Sequence, residues 1–289
     1  MLVSLQKTLS LLTQFASVTA LLAAMGQTAC KQNPAEDSNV SITGGKAVDK
    51  NSVLHHSTVL IKMPNGNMCT ATLVGPKHLT TAAHCVKGVG PDTIIKAGFG
   101  IDAKIQAQVI LNVDKWVSHP NYAFQGNDLA ILTLKEAVPA PYKHVEIARP
   151  EELGFFKEII YAGYGTLAET AKGSQMLRSV STRIMYVSKT EKQFNTFITG
   201  KGSCYGDSGG PGYIYDSKTK RYKAVGAVST AYRYGSAKCG QGDTTTDLTQ
   251  YLGWIEGTFK ALGAPLPYSL GMDGTEAEIG RNLVFVGSR

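Results

Sequence analysis

From residue 42 onward the chain is cut into short runs of strand-forming residues by turn residues. The runs fall at 58–63, 69–74, 79–83, 93–97, 104–113 and 129–134, then at 158–162, 177–187, 213–215, 222–228 and 244–248. Many short strands at this spacing build an all-β sandwich or barrel. One helix stands apart near the end, where Tyr251, Leu252, Ile255, Phe259 and Leu262 recur at three- and four-residue intervals. The 289 residues, 43% of them hydrophobic, suffice for a large core and roughly two folding units. The same apolar content excludes a disordered or collagen-like chain, and no repeat of fixed period is visible.

The two ends read differently from the body. Lys7 precedes a largely apolar stretch, residues 8–25, broken by Thr13 and Gln14. It is too short and too polar to span a bilayer comfortably and fits the core of a secretory signal. Two exits are open. Ala24 and Gly26 have the small-residue spacing of a signal-peptidase site; alternatively Thr28-Ala29-Cys30 ends a lipoprotein-type signal in which Cys30 is lipidated, with Gln27 in place of the usual aliphatic residue. The expected organisation is therefore a signal peptide over 1–29, a polar linker or propeptide over 30–41 and a tail over 263–289 beginning near Pro265 and Pro267. The expected location is secreted or cell envelope (periplasm or outer membrane with Cys30 lipidated), with membrane contact only in that last case.

The cysteines are Cys30, Cys69, Cys85, Cys204 and Cys239, with no Cys-x-x-Cys pair, and the adjacent His55 and His56 have no further ligand nearby in sequence. No metal site or cofactor is expected. In an exported protein the four body cysteines are enough for two disulfides. The net charge of +7 comes without a Lys/Arg run interleaved with aromatics, so a nucleic-acid partner is not expected.

The strongest local signal is the string Gly-Asp-Ser-Gly-Gly-Pro at 206–211. A serine between glycines can sit on a sharp turn with backbone N–H groups facing a substrate oxygen, although an ordinary Gly/Ser turn has the same composition. The α/β-hydrolase elbow shares this pattern but needs its histidine after the serine, and all six histidines precede Ser208. The base must lie upstream, and His84 in Thr-Ala-Ala-His-Cys is the leading candidate. Asp128 opens the apolar run of Asn-Asp-Leu-Ala-Ile-Leu, where a carboxylate is costly to bury unpaired. Each alone has a plain structural reading; the order His, Asp, Ser is far more specific.

These three strings resemble the signatures of the chymotrypsin/trypsin-like serine proteases, in family order. Ile42-Thr43-Gly44-Gly45 is similar to the family's mature N-terminus, and Ala162-Gly163-Tyr164-Gly165 resembles its Gly-Trp-Gly segment with Tyr for Trp. The resemblance covers about 42–262. It implies two six-stranded antiparallel β-barrels, about 42–145 and 146–262, with a C-terminal helix. It implies an endopeptidase in which Ser208 is the nucleophile, His84 the base, Asp128 its orienting acid, and the N–H groups of Gly206 and Ser208 the oxyanion hole. Ser229 matches the serine that hydrogen-bonds the buried acid, and the disulfides would be Cys69–Cys85 and Cys204–Cys239. The absence of other bridges leans towards a bacterial or otherwise sparsely cross-linked member.

Two further roles follow from the same resemblance. Freeing Ile42 would pair its new α-amino group with Asp207 and set the oxyanion hole. Ser41 stands where trypsin-activated relatives carry Arg or Lys, so a different activating protease, or trimming from the linker, is expected. Substrate-binding residues would be Gly202, Ser203, Ser229 and Asp243. Gly202 replaces the pocket Asp of strict Arg/Lys-cleaving members, whereas Asp243 falls where the family usually has Gly, either as a pocket acid or as a solvated loop residue. Ala231, Tyr232 or Tyr234 could narrow the cleft. The expected specificity is Arg/Lys plus broad, on protein or peptide substrates. The competing reading is a lipid-anchored, non-catalytic homologue that binds a partner through the same cleft.

Overall fold

A computed structural model describes residues 42–100, 109–123, 126–166, 176–231 and 239–268. The proposed signal, the linker, Ser41, Cys30, Tyr232, Tyr234 and the tail beyond 268 lie outside the described residues. The chain enters through a two-residue strand β1 (Lys46–Ala47) and a helical turn α1 (Val53–Ser57). Then come β2 (Thr58–Lys62), β3 (Met68–Gly75), β4 (His78–Thr81), the short helix α2 (Ala83–Val86), β5 (Lys96–Phe99), β6 (Val109–Ser118) and β7 (Ala130–Leu134). The second half contains β8 (Glu146–Ile147), β9 (Glu158–Gly163), β10 (Arg178–Ser188), β11 (Gln193–Thr196), β12 (Pro211–Asp216), β13 (Arg221–Ala231), β14 (Asp243–Asp247) and helix α3 (Leu252–Ala261).

Strands β2-β3-β4-β7-β6-β5 close into one antiparallel barrel. Strands β9-β10-β11-β14-β13-β12 close into a second, with β1 added beside β10 and β8 lying parallel to β13. Alternation explains the first interior. Val59 and Ile61 point inward and are fully buried with Leu73, Leu79, Phe99 and Leu132, while Lys62 faces out. In the second barrel Ile159, Tyr161, Phe194, Ile214 and Val225 fill the centre. Gly226 is required there, because a Cβ would lie 2.8 Å from the Phe194 ring and 2.3 Å from the Thr245 methyl.

The barrels meet along an apolar seam. Val74, Leu129 and Ile131 from the first pack with Tyr164, Tyr213, Ala227 and Leu248 from the second. Helix α3 closes one end by burying Ile255 and Phe259, worth about 1.5–3 kcal/mol each. Beyond it the chain is pinned again: the Ile147 N–H donates to the Pro267 carbonyl over 2.8 Å, and the Tyr268 hydroxyl donates to Glu256.

Several boundaries move for local reasons. Ala83 opens α2 instead of ending a strand, because Ala82 is the extended cap from which the chain turns. The expected run at 93–97 begins only at Lys96, since Thr93 closes a turn onto the Gly90 carbonyl. The run at 104–113 is described from 109 and continues to Ser118, with Asn112, Asp114 and Lys115 exposed. Strand β11 had no signal: Phe194 is the one large apolar residue among Gln193, Asn195 and Thr196, and the strand exists through its pairing with β10 and β14.

Candidate active site

The base candidate is held at both ends. His84 sits in α2, directly before Cys85, whose disulfide to Cys69 ties the helix to β3. Its backbone N–H donates to Asp128 Oδ1 over 2.9 Å, and its ring Nδ1 lies 2.8 Å from Asp128 Oδ2. One carboxylate therefore grips both the main chain and the imidazole. An ionised carboxylate only accepts, so the proton sits on Nδ1 and Nε2 is left as the free basic nitrogen.

Asp128 precedes β7 and follows Asn127, which takes the left-handed φ of +54° that asparagine tolerates. It is 2% exposed. From the second barrel, the Ser229 hydroxyl donates to its Oδ2 over 2.6 Å and the Thr246 hydroxyl donates to its carbonyl over 3.1 Å. Burial alone would raise its pKa. The bonds and charge of His84, with the Ser229 hydroxyl, outweigh this and hold the carboxyl below its ordinary range.

Ser208 belongs to the second barrel, on the turn between Cys204 and β12. Gly209 has φ +76°, and a Cβ there would meet the Thr81 hydroxyl at 2.0 Å, so only glycine lets the turn press against the first barrel. Thr70 on β3 clamps the same turn. Its N–H donates to the Ser208 carbonyl and its hydroxyl to the Gly206 carbonyl, both over 2.8 Å, while Thr81 donates to the Thr70 carbonyl over 2.8 Å. Among the described residues, the N–H groups of Gly206 and Ser208 have no acceptor. Gly206, Ser208 and His84 line one cleft of about 730 Å³, with Tyr205 on its rim.

Asp207 points away from the cleft into the protein. It accepts from the N–H groups of Cys204 (2.9 Å) and Gly165 (2.8 Å) and is 1% exposed. Burial pushes its pKa up to about 7; these two bonds offset part of that, and the Asp243 charge adds to it. Ile42 is fully buried in the second-barrel core, with φ +54°, a strained value for a β-branched residue. The next residue, Thr43, pairs with Gly202.

Asp243 opens β14 and is fully buried, so the solvated-loop alternative fails. The Ser203 N–H donates to its Oδ1 over 2.9 Å; the Ser203 hydroxyl also donates to it, and Thr196 donates to Oδ2 over 3.4 Å. Gly202 faces the carboxylate, where a Cβ would lie 3.0 Å from Oδ2. Burial raises its pKa to about 6 despite these bonds. The second disulfide joins Cys204 to Cys239, fixing the loop that carries Ser203 and Tyr205.

Sequence reading missed Thr70 and Thr246, whose partners lie 136 and 118 residues away, and Thr81, which reaches Thr70 across the neighbouring strands. A threonine near the start of β3, one of two in that strand, carries no local mark of such a role. The one close group of metal-type ligands among the described residues is Cys69, His84 and Cys85, and both its sulfurs are consumed by the disulfide. Among the described residues no helix is long and apolar enough to cross a membrane.

Comparison with known proteins agrees with this geometry. Brachyurin of Leptuca pugilator is 27% identical over 228 residues, covering 74% of this chain and 97% of that protein. A trypsin of Saccharopolyspora erythraea is 27% identical over 187 residues, 59% of this chain and 80% of the other. Cationic trypsin-3 of Rattus norvegicus is 24% identical over 247 residues, 79% and 93% of the two chains. The trypsin family model matches residues 42–255. With two closed barrels and this match, the chain belongs to the trypsin family of serine proteases.

Proposed function

We propose that the protein is a serine endopeptidase that works through an acyl-enzyme on Ser208. The observation that carries this reading is the Asp128 carboxylate, which binds the His84 main chain and ring and accepts from Ser229, beside a cleft that also holds Ser208. Ser208 Oγ attacks the scissile carbonyl and its proton passes to His84 Nε2. His84 then gives that proton to the leaving amine, and water repeats the cycle on the ester. The N–H groups of Gly206 and Ser208, without an acceptor among the described residues, are the proposed oxyanion hole; removing one such donor typically costs about 2.7–4 kcal/mol of transition-state stabilisation.

Asp243 is the proposed pocket acid for Arg and Lys side chains, with Gly202 leaving room above it and Ser203 holding it in place. Apolar residues would enter the same pocket when the acid is protonated, which supports a basic-plus-broad specificity. A cut before Ile42 is the proposed activating step. It would relieve the left-handed Ile42 backbone and create an ammonium that neutralises the buried Asp207. The two disulfides support an oxidising compartment, so secretion or export to the cell envelope is the proposed setting. Lipidation of Cys30 would show in the mass of the mature N-terminal peptide.

The test uses protein beginning at Ile42 beside Ser208→Ala. Labelling of Ser208 by a fluorophosphonate, with peptide-library cleavage that the substitution abolishes, is the expected result. Absence of both labelling and cleavage in the unsubstituted protein would refute the protease reading.

A further inference from the structure

The interior of the second barrel carries three hydroxyls where apolar side chains would pack. Tyr161 on β9, Thr196 on β11 and Thr245 on β14 are at most 1% exposed, in the barrel that Ile159, Phe194 and Val225 fill. Strand register brings them together. Thr196 pairs with Asp243 and Phe194 with Thr245, and residues two apart on one strand share a face, so Thr245 points inward on the same side as the buried acid. Tyr161 pairs with Gly212 on β12, where a Cβ would lie 3.3 Å from its ring, and the glycine leaves the ring its room.

Packing does not call for the oxygens. Phenylalanine would fill the place of Tyr161, and valine has the shape of threonine, without the cost of burying a hydroxyl. The oxygens instead form a chain. Tyr161 Oη lies 2.5 Å from Thr245 Oγ1 and 3.2 Å from Thr196 Oγ1, and the Thr196 hydroxyl donates to Asp243 Oδ2 over 3.4 Å. Its polarity follows from counting protons. An ionised carboxylate only accepts, so Thr196 gives its one proton to Asp243 and accepts from Tyr161. The Tyr161 proton is then spent, so Thr245 donates to Tyr161. Three dipoles point one way and end on Oδ2, the carboxylate oxygen nearer to Gly202. Protonating Oδ2 weakens the acceptor at the end of the chain, and reversing all three hydroxyls would leave the Thr245 proton without an acceptor among the described residues. The chain therefore favours the ionised acid.

We infer that Tyr161 is a positioning residue for substrate choice: with Thr245 and Thr196 it forms a one-way hydroxyl relay through the barrel core that keeps Asp243 ionised, and so sets how far the pocket prefers a cationic side chain over an apolar one. The inference rests on the reading of Asp243 as the pocket acid and deepens it, since a residue buried in the barrel core then tunes the preference. Among the described residues, the titratable groups that feel the Asp243 charge are Tyr161 and Asp207. Burial, with that charge added, holds the Tyr161 phenol well above its ordinary range, so it stays neutral and serves only as donor and acceptor. The Thr196 link is long, so the pull on the acid is modest and the expected shifts are small.

The experiment follows the ratio of kcat/KM for matched Arg and Leu peptide amides from about pH 5 to 8.5. It compares the unsubstituted enzyme with Thr196→Val, Tyr161→Phe and Thr245→Val. The midpoint of the ratio, at about 6 in the unsubstituted enzyme, should move up by about half a unit in Thr196→Val. It should move up by successively smaller steps in Tyr161→Phe and Thr245→Val, because the pull weakens along the chain. Thr196→Ser should keep the original midpoint. At the alkaline end every enzyme should return to one Arg-to-Leu ratio, which a variant damaged only in its packing would not do. One midpoint shared by all the enzymes would overturn the relay and leave the pocket acid standing. A shift confined to Thr196→Val would also overturn it, because the direct contact would then suffice. A flat ratio in the unsubstituted enzyme would instead refute Asp243 as the pocket acid, and the relay's part in substrate choice with it.

Discussion

The Thr70 hydroxyl donates to the Gly206 carbonyl over 2.8 Å, so a side chain of the first barrel holds the proposed oxyanion loop of the second. The same oxygen accepts the Tyr164 N–H over 3.3 Å, and the Thr70 main chain binds the Ser208 carbonyl. Thr70→Val keeps the shape and removes the bond. A lost hydrogen bond of about 1–1.5 kcal/mol predicts a fall in kcat of about tenfold with KM little changed. A boronic acid inhibitor should weaken in parallel, and Thr70→Ser should restore most of the activity. Equal activity of the Val and wild-type enzymes would show that the contact has no part in positioning.

Ser229 and His84 share one carboxylate oxygen, Asp128 Oδ2. Ser229→Ala removes a bond to a buried charge and leaves Asp128 leaning on His84 alone. The expected outcome is a drop in kcat/KM of about tenfold on a short peptide. The thermal midpoint should fall by a few degrees. Steady-state kinetics beside a melting curve separates the two effects.

The proposed pocket acid, Asp243, predicts a pH signature. Asp243 has its pKa raised to about 6, so in the free enzyme it ionises as pH rises through that value. Cleavage after Arg or Lys should therefore climb between about pH 5 and 7 relative to cleavage after Leu. Asp243→Asn should remove the climb and cut kcat/KM for basic residues by tenfold or more, since it leaves a cationic side chain buried without a partner. A flat Arg-to-Leu ratio across that range in the wild type would refute the assignment.

A different pH dependence is expected of the uncut protein. The folded Asp207 keeps its proton to about pH 7, whereas an unfolded Asp releases it near 4. Between these values the folded state binds the extra proton, so its stability falls as pH rises, then levels off above 7. The proposed cut before Ile42 would supply an ammonium that favours the ionised form and removes this loss. Melting curves at pH 5 and 8 should show the uncut protein losing several degrees more than the cut one. In the uncut protein Asp207→Asn should shrink the loss between pH 5 and 8, leaving the smaller part that Asp243 contributes in the same direction.

What could be read from the residues alone was whatever is written locally. Gly206, Ser208 and Gly209 announce a strained turn within four positions, and most strands show their alternation. Asp243 illustrates the opposite case. Its sequence surroundings are polar, Gln-Gly-Asp-Thr-Thr-Thr, and only the pairing of β14 with β11 and β13 buries it. Thr70 is similar, because its meaning depends on a carbonyl 136 residues away.

The proposed acid and base arrive with one barrel and the nucleophile with the other, and the contacts that join them all cross the seam. A chain in which only the first barrel has folded holds a histidine–aspartate pair with nothing to activate. A chain with its barrels formed but undocked holds a serine with no base. Hydrolytic power would thus require both barrels to be formed and docked, so a partly folded chain would carry none whatever a propeptide adds as a guard.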